Sequence, residues 1–389
     1  MGHEDHKTMN RREFLKLGAA TAAVTAAGLG GASSLFGAEG TGGSPELLYR
    51  TLGRTGLKVT VVSFGAMLTP EYEVIRAGFE QGINYVDTAR RYMGGRNEDI
   101  VGKALKGLRN KVYVATKLDP SSVTKKDIFA GMETSLQKLG TDHVDVIQVH
   151  NMKSGTDRAF NPEIREALLE LRKQGKVRFF GVTTHTNQTE VLNALAADPD
   201  KFYDTVLVAY NFKSDEDLRA AVARVAKAGM GVIAMKTQAG GYKTAALGPL
   251  SPHQAALKWA LQDKSVSCAI PGMKDMQMLK EMTSVMGMKL TSRDERILER
   301  YADAIEPYYC HLCGQCEPTC PNGVAISVIN RALMYAEGYG ELKLARATYT
   351  EVGPAHSASL CAGCTECTAQ CAHGLDIAGK MRQARTLLA

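Results

Sequence analysis

The sequence predicts an α/β fold, a (β/α)8 or TIM barrel that is followed by a helical, cysteine-rich tail. Between residues 49 and 290, eight short and nearly all-apolar runs alternate with amphipathic segments. That alternation is typical of parallel strands that are buried on both faces and crossed by helices. Eight of the nine cysteines then lie between Cys310 and Cys371. We therefore expect an N-terminal segment at residues 1–40, a barrel at 48–290 and a tail at 300–389.

The composition fits a globular protein and argues against a nucleic-acid surface. The chain has 389 residues, of which 44% are apolar and 23% are charged, and this length allows one large domain with smaller modules. The formal net charge of +6 is modest, and part of it lies in the first sixteen residues. No long Lys/Arg run with interleaved aromatic residues occurs, so we expect no nucleic-acid partner.

The first forty residues have the layout of an export signal. Residues 10–16 read Asn-Arg-Arg-Glu-Phe-Leu-Lys, and an uncharged, weakly apolar run follows from Leu17 to Ala38. A charged start before an apolar stretch is typical of a secretory signal, and the paired arginines resemble the twin-arginine (Tat) signal. The alternatives are a disordered basic start and a short membrane helix. The Tat route carries folded proteins, so we expect a periplasmic destination, with membrane contact only through the signal or an uncleaved anchor.

The predicted barrel has eight strands with helices between them. A doubly wound sheet is the rival fold, but it needs a glycine-rich phosphate loop after its first strand. The chain has Gly65, Ala66 and Met67 at that point, which is not such a loop. The predicted strands are Val59–Phe64, Asn84–Asp87, Val112–Thr116, Val144–His150, Phe179–Thr184, Thr205–Ala209, Gly231–Lys236 and Ser267–Ile270. The predicted helices include Glu71–Gly82, Asn97–Leu108, Ser122–Leu139, Pro162–Gln174, Asp217–Ala228 and Pro252–Asp263.

Four residues with acid/base chemistry fall at the ends of successive predicted strands. Asp87 ends the second strand, Lys117 follows the third, His150 ends the fourth, and Tyr92 lies in the loop after Asp87. Barrel enzymes place their active sites at this C-terminal rim. Each residue alone has an ordinary explanation, such as a helix cap for Asp87. The four together indicate a catalytic set.

The four side chains suit proton transfer to or from a carbonyl oxygen. A tyrosine hydroxyl has an ordinary pKa of about 10, and a neighbouring ammonium such as Lys117 is expected to lower the pKa of Tyr92. Asp87 would keep Lys117 charged and oriented. His150 would hold a substrate carbonyl or relay the proton.

In their order along the chain, these residues resemble the catalytic tetrad of the aldo-keto reductase family. The resemblance covers roughly residues 48–290 and rests on the segments Tyr49–Val59, Asn84–Glu98, Val114–Lys117, Asp145–His150, Tyr210–Asn211 and Ile270–Gly272. The first of these segments, Tyr49–Val59, forms a hairpin under the barrel in that family. It implies an oxidoreductase that uses NADPH or NADH and acts on a small carbonyl compound or alcohol. It also implies that Tyr92 is the general acid, that Lys117 lowers its pKa and pairs with Asp87, and that His150 orients the carbonyl.

The same resemblance assigns residues to the dinucleotide, with several departures from the family pattern. Met235 stands where many members stack an aromatic ring, Thr183 and Thr184 replace a frequent Ser-Asn pair, and Leu207 replaces a frequent Gln. Lys274 is the only cation near the position where many members hold the 2′-phosphate, so the choice between NADP and NAD stays open. The residues assigned to the dinucleotide are Gly65, Met67, Asp87, Thr183, Thr184, Asn211, Met235, Lys236 and Gly272.

Two cysteine runs in the tail match the bacterial ferredoxin spacing. They are Cys310-x2-Cys313-x2-Cys316-x3-Cys320-Pro321 and Cys361-x2-Cys364-x2-Cys367-x3-Cys371. In two-cluster ferredoxins the fourth cysteine of each run binds the other cluster. Zinc sites use pairs of cysteines rather than triplets, and a disulfide framework does not explain cysteines three apart. We therefore predict two 4Fe–4S clusters bound by these eight cysteines.

The remaining features of the tail refine this prediction. A helical stretch at Val324–Glu337 separates the two runs, so the tail resembles the helical two-cluster ferredoxins. His373 follows the second run and is expected near its cluster rather than as a ligand, because the cysteine count is already complete. Cys268, on the eighth predicted strand, is expected to be a core thiol.

The sequence therefore favours an exported oxidoreductase in which two 4Fe–4S clusters transfer electrons alongside a nicotinamide cofactor. Nicotinamide gives two electrons as hydride, whereas each cluster takes one. No flavin motif is present in the sequence, so a redox partner protein is a further expectation. The alternative is an electron-transfer iron–sulfur subunit that uses the barrel as a scaffold, and the intact tetrad argues against it. The sequence does not identify the substrate.

Overall fold

A small β-hairpin precedes the barrel in the computed structural model, which describes residues 47–154, 158–243 and 251–389. Strand β1 (Tyr49–Thr51) pairs antiparallel with β2 (Lys58–Thr60). The signal predicted at residues 1–40 lies outside the described residues.

Eight parallel strands follow the hairpin and form one sheet. Each of them hydrogen-bonds to the next one in chain order. Parallel bridges from Val62 to Ala269 and from Gly65 to Gly272 join the first of these strands to the last. The sheet therefore closes on itself, and the predicted (β/α)8 barrel is confirmed. The strands are β3 (Phe64–Gly65), β4 (Tyr85–Asp87), β5 (Tyr113–Lys117), β6 (Val144–Met152), β7 (Val177–Thr184), β8 (Thr205–Ala209), β9 (Gly231–Met235) and β10 (Val266–Ala269).

The prediction of a single strand over Val59–Phe64 is wrong. In the structure Val59 belongs to β2 and pairs with Arg50, and the barrel strand β3 begins only at Phe64. An apolar run does not show where the chain turns from the hairpin into the barrel, which explains the error. At the closure of the barrel, a Cβ on Gly65 would lie 2.5 Å from the carbonyl oxygen of Ile270, so only glycine fits there.

Helices surround the barrel and build the tail. Capping side chains begin several of them, as where the Asn161 side chain accepts a hydrogen bond from the backbone N–H of Glu163 ahead of Pro162. The helices are α1 (Tyr72–Glu80), α2 (Asn97–Leu105), α3 (Lys125–Leu139), α4 (Pro162–Lys173), α5 (Gln188–Ala197), α6 (Glu216–Lys227), α7 (Pro252–Gln262), α8 (Met276–Thr283), α9 (Ser292–Ile305), α10 (Ile326–Glu337), α11 (Leu342–Thr350) and α12 (Ile377–Leu387). None of the helices within the described ranges combines the length and apolar character that crossing a bilayer requires.

The tail has an apolar core that also includes Ala239 and Tyr242 from the barrel rim. Helix α10, which the sequence predicts at Val324–Glu337, is the centre of that core and is buried over most of its length. Its side chains Ile329 and Leu333 belong to the same apolar cluster as Ile377 and Met381 of α12. The helix is therefore held between the rest of the tail and the barrel.

The tail covers the mouth of the barrel at the carboxyl ends of the strands. The backbone N–H of Asn187, in the loop after β7, donates to the carbonyl oxygen of Leu312 at 3.1 Å. Further along the rim, Gly338 approaches Gly240 so closely that a Cβ at position 338 would lie 2.0 Å from the Gly240 carbonyl oxygen. The end of the barrel that carries active sites in barrel enzymes is thus shared with the tail.

Candidate active site

Asp87 and Lys117 form a buried ion pair at the rim. They end the neighbouring strands β4 and β5, and Lys117 Nζ lies 2.5 Å from Asp87 Oδ1. Lys117 also donates to the carbonyl oxygen of Thr88 at 2.7 Å, and Gln148 Nε2 donates to the second oxygen of Asp87 at 2.7 Å. Burial lowers the pKa of Lys117, and the Asp87 charge opposes that shift. The pairing predicted for these two residues is present in the structure.

Tyr92 and His150 lie beside this ion pair. Lys117 Nζ is 4.8 Å from the centre of the Tyr92 ring. The ring of His150 is nearly perpendicular to that of Tyr92, with 6.2 Å between the ring centres. The structure therefore brings together all four residues that the sequence selects at three successive strand ends.

The expected lowering of the Tyr92 pKa is wrong. Burial raises the pKa of Tyr92 well above its usual value, and the nearby charge of Asp87 raises it further. Arg331 acts in the opposite direction, but its effect is smaller. Lys117 points its ammonium at Asp87 rather than at the phenol, which explains the difference. Tyr92 consequently keeps its proton near neutral pH.

His150 and a second histidine, His185, are both held in the neutral form. Burial lowers the pKa of each ring, and the positive charge of Lys117 for His150, and of Arg331 for His185, lowers it further. His185 Nδ1 lies 3.1 Å from Asn151 Oδ1. No sequence motif marks His185 as a catalytic or binding residue, although it directly follows Thr184 at the end of β7.

Helix α10 of the tail contributes two further side chains that the sequence analysis does not select. Tyr335 accepts a hydrogen bond of 2.8 Å from Lys236 Nζ at the end of β9. Arg331, one turn earlier, contacts Asn151 Oδ1 and Glu351 Oε2, each at 3.3 Å. The spacing of four residues puts both side chains on one face of the helix. The four-residue spacing of Arg331 and Tyr335 is the feature of the sequence from which a shared position of the two side chains could have been inferred.

Two adjoining cavities meet at Tyr92. The first has a volume of about 490 Å³ and is lined by Tyr92, His150 and His185 from the barrel and by Arg331 and Tyr335 from the tail. The second has a volume of about 370 Å³ and runs along the barrel rim. Tyr92, His185 and Met67 line both of them. A substrate in the first cavity and a cofactor in the second would therefore meet at the tyrosine.

The second cavity contains most of the residues assigned to the dinucleotide. Its lining includes Gly65, Met67, Asp87, Met235, Lys236 and Gly272. Thr237 also lines it, and its hydroxyl is buried without a hydrogen-bond partner among the described residues. A buried hydroxyl of this kind favours a polar ligand, so the residues fit a nicotinamide dinucleotide. The cavity adjoins Lys274, whose ammonium is engaged by Glu341 of the tail at 2.6 Å.

Three other residues assigned to the dinucleotide do not line that cavity, and their polar groups have partners within the protein. Thr183 Oγ1 accepts from the backbone N–H of Asn151 at 2.7 Å. Thr184 Oγ1 donates to the carbonyl oxygen of Met152 at 3.0 Å. The amide of Asn211 donates to the carbonyl oxygen of Lys236 at 3.1 Å. A contact between these residues and a cofactor stays a prediction.

The cysteines form two groups, each drawn from both runs. Cys310, Cys313, Cys316 and Cys371 line one small cavity with His311 and His373. Burial raises the pKa of the Cys361 thiol, and the nearby thiolates of Cys364, Cys320 and Cys367 raise it further. These four cysteines form the second group. No three His, Cys, Asp or Glu side chains within the described ranges converge tightly enough for a single metal ion. Four sulfur donors around a wider space fit a cluster in which each thiolate binds its own iron.

Comparison with protein-family models identifies three segments. Residues 69–247 match the aldo/keto reductase family, residues 309–377 match a 4Fe-4S dicluster domain, and residues 8–28 match the signal sequence of the twin-arginine translocation pathway. The order of these matches is the order predicted from the motifs. The signal match supports export by the Tat route.

Individual proteins and solved structures agree with the barrel assignment. The chain is 28% identical to L-galactose dehydrogenase of Arabidopsis thaliana over 67% of this chain and 95% of that protein. It is 38% identical to methylglyoxal reductase YeaE of Escherichia coli, over 29% of this chain and 38% of that protein. An aldo/keto reductase from Klebsiella pneumoniae, solved with NADP and acetate, has the same fold, with a TM-score of 0.56 and 24% identity over 65% of this chain and 94% of that one.

These matches cover the barrel, the tail and the N-terminal segment in turn. The chain is therefore an oxidoreductase whose residues 69–247 match the aldo/keto reductase family, with a match to the Tat signal sequence before them and a match to a 4Fe-4S dicluster domain after them.

Proposed function

We propose that this protein interconverts a small carbonyl compound and the corresponding alcohol with NADP or NAD as its cofactor. In this proposal Tyr92 is the general acid and base, and the eight tail cysteines hold two 4Fe–4S clusters. The protein would act in the periplasm after export by the Tat route, and a redox partner protein would exchange electrons with the tail. The observation that supports it best is the convergence of Tyr92, Lys117, Asp87 and His150 at one point of the barrel rim, where Tyr92 and His150 line the first cavity and Lys117 joins Tyr92 to Asp87.

The chemistry of the four residues follows from their charges. Tyr92 is protonated near neutral pH, so its hydroxyl can hydrogen-bond to a carbonyl oxygen and donate its proton as negative charge develops on that oxygen. His150 is neutral and can donate a hydrogen bond to the same oxygen. When the tyrosine proton leaves, the ammonium of Lys117, 4.8 Å from the ring centre, would offset part of the phenolate charge, while Asp87 balances the rest of the ammonium charge. Asp87 holds that ammonium in place.

The cofactors have separate places in the structure. A nicotinamide in the second cavity would supply or accept a hydride, and Lys236, Thr237 and Gln238 border that cavity as polar partners. Clusters held by Cys310, Cys313, Cys316 and Cys371, and by Cys320, Cys361, Cys364 and Cys367, would supply one-electron chemistry. Cys364 and Cys367 are exposed, which suits electron exchange with a partner protein.

Replacement of Tyr92 by Phe tests the proposed acid. The Tyr92→Phe variant should lose about 10²- to 10⁴-fold in the rate of carbonyl reduction, which is the usual contribution of a positioned acid. Tyr49→Phe is the matched control, because Tyr49 is exposed on the hairpin. Full activity of the Tyr92→Phe variant would show that another group donates the proton.

Cofactor binding separates this proposal from an electron-transfer subunit that uses the barrel as a scaffold. Calorimetry of the purified, cluster-loaded protein with NADH and with NADPH should show binding of at least one of them. If neither binds and none co-purifies, the nicotinamide form of the proposal is wrong. Iron analysis after anaerobic purification should give about eight irons per chain, and a clearly smaller number would rule out two 4Fe–4S clusters.

A further inference from the structure

Arg331 is a buried cation at the wall of the first cavity. It lies on helix α10 of the tail, and only 5% of its surface is exposed. It lines the same cavity as Tyr92 and His150, and its charge acts on the pKa of both. A charge from the tail is therefore placed beside the proposed acid of the barrel.

The guanidinium of Arg331 is poorly satisfied. Its two contacts, with Asn151 Oδ1 and Glu351 Oε2, are long at 3.3 Å each. Its Nε is buried and has no hydrogen-bond partner among the described residues. Charge-assisted hydrogen bonds of arginine are usually about 2.7–2.9 Å long, and a buried charged donor without a partner is costly. An unpaired donor at a cavity wall indicates a ligand that completes it.

The charges around the cavity favour an anion. Arg90, Arg91 and Arg331 line it against a single carboxylate, Glu351. Arg91 is already held by Asp119 through two hydrogen bonds of 2.7 and 2.8 Å. The Glu351 side chain is 37% exposed, so it can turn towards solvent when another anion approaches Arg331.

We propose that Arg331 binds the substrate through an anionic group, and that the preferred substrate carries a carboxylate in addition to its carbonyl or alcohol. A guanidinium presents paired donors that match the two oxygens of a carboxylate. The contact with Glu351 shows that a carboxylate already reaches this guanidinium. Because Glu351 lies beside Arg331 and Asp119 holds Arg91, two of the three arginines at this cavity are already offset by carboxylates, and the remaining positive charge suits a carboxylate better than a phosphate dianion. The carbonyl part of this substrate class rests on the proposed function.

Binding of a non-reacting acid tests the subsite without relying on turnover. Calorimetry of the cluster-loaded protein should show binding of succinate and far weaker binding of neutral 1,4-butanediol. The Arg331→Gln variant should bind succinate about tenfold more weakly or worse, as expected for loss of a charge-assisted pair. The Arg331→Lys variant should keep part of the affinity, because it keeps the charge but loses the fork. Arg382→Gln, on the exposed side of α12, is the matched control.

Removal of the competing carboxylate separates binding from a purely structural role. The Glu351→Gln variant should bind succinate a few-fold more tightly, because Arg331 is then freed for the ligand. A structural role for the Arg331–Glu351 pair predicts no such gain. Equal succinate affinity in the wild-type, Arg331→Gln and Glu351→Gln proteins would overturn the subsite.

Turnover then identifies the substrate class. Acids and matched neutral aldehydes should be compared as pairs, namely glyoxylate with glycolaldehyde, succinic semialdehyde with butanal, and D-glucuronate with D-glucose. The acid of at least one pair should be preferred in kcat/KM, and Arg331→Gln should remove that preference by lowering kcat/KM for the acid more than for its neutral partner. Preference for a phosphate such as D-glucose 6-phosphate would overturn the carboxylate assignment. If no aldehyde reacts but succinate binding still depends on Arg331, the proposed function fails and the subsite stands.

Discussion

Lys236 at the barrel rim donates a hydrogen bond of 2.8 Å from Nζ to the hydroxyl of Tyr335 on helix α10. The same ammonium lies 4.5 Å from the centre of the Tyr335 ring and 5.7 Å from that of Tyr339. Burial alone would raise the pKa of Tyr335, but the charges of Lys236 and Arg331 outweigh it, so the pKa is lowered. The contact thus joins the barrel to the tail by a charge and a polarised hydroxyl.

This contact predicts unequal effects of the two single substitutions. Tyr335→Phe leaves the Lys236 ammonium without that acceptor and should lower the free energy of unfolding by about 1–3 kcal/mol. Lys236→Met removes the buried charge itself, so it should lower the free energy of unfolding by less than Tyr335→Phe does. The double variant should be close to Lys236→Met alone. Anaerobic urea unfolding measures all three, and additive effects of the two substitutions would contradict direct coupling.

The ion pair between Lys274 and Glu341 predicts a change in cofactor preference. Lys274 is the cation nearest to the predicted 2′-phosphate position, and the tail engages it through Glu341 Oε1 at 2.6 Å and the Tyr339 carbonyl oxygen at 3.1 Å. Glu341→Gln should free the ammonium and raise the affinity for NADPH relative to NADH by a few-fold, a modest effect because the pair is partly exposed. Parallel titrations with both cofactors measure it.

The control for this experiment is Glu295→Gln on α9, which removes the same charge from an exposed position. It should leave the ratio of the two affinities unchanged. An unchanged ratio in Glu341→Gln as well would mean that Lys274 does not contact the 2′-phosphate.

The barrel was predictable where burial alone defines an element. Strand β8 has the bounds Thr205–Ala209 in both the prediction and the structure, because a β-branched and apolar run begins directly after Asp204 and ends shortly before Asn211. The four rim residues were predictable because parallel strands bring their carboxyl ends together. The hairpin at Tyr49–Val59 was implied by the family resemblance, but the boundary between it and the barrel was not predictable, because the pairing of Val59 with Arg50 is a tertiary contact within a largely apolar run.

The residues that the tail contributes to the site, Arg331 and Tyr335, were not predictable from the local sequence pattern. Arg331 meets Asn151 across 180 positions of sequence, and no periodicity reports how two domains pack. The predicted direction of the Tyr92 pKa shift was wrong for a related reason. Its direction depends on burial and on where the Lys117 ammonium points, which the spacing of strand ends does not define.

The grouping of the cysteines predicts which substitutions affect the same cluster. Cys371 lines the cavity of Cys310, Cys313 and Cys316 although it belongs to the second run. Cys371→Ser and Cys310→Ser should therefore damage one cluster and leave the other, with about four irons retained per chain. Electron paramagnetic resonance of the reduced variants should show the same surviving signal in both.

Variants of the other group complete the cluster experiment. Cys320→Ser and Cys361→Ser should keep the signal of the cluster that the Cys310→Ser and Cys371→Ser variants lose, because Cys361 is close to Cys320, Cys364 and Cys367. Cys268→Ala is the control, since this thiol is buried in the barrel on β10, and it should keep all the iron. If Cys320→Ser leaves the same signal as Cys310→Ser, each run binds its own cluster.

The neutral histidines of the site predict that stability falls in mild acid. Burial and nearby positive charges lower the folded-state pKa of His150 and His185 below the usual 6.5. As the pH falls below about 6.5, the unfolded chain therefore binds protons that the folded chain does not. Each histidine then lowers the free energy of unfolding by up to about 1.4 kcal/mol per pH unit, until the pH reaches its folded-state pKa.

Replacement of His185 isolates this effect. His185→Gln keeps a polar side chain next to Asn151, its partner at 3.1 Å, and should flatten the fall in the free energy of unfolding between pH 6.5 and 5. Anaerobic urea unfolding at a series of pH values measures the slope, with His143→Gln at the amino end of β6 as the control for loss of an imidazole. The same slope in His185→Gln and in the wild type would mean that His185 is already protonated in the folded protein. A charged ring at this position would repel Arg331 across the first cavity.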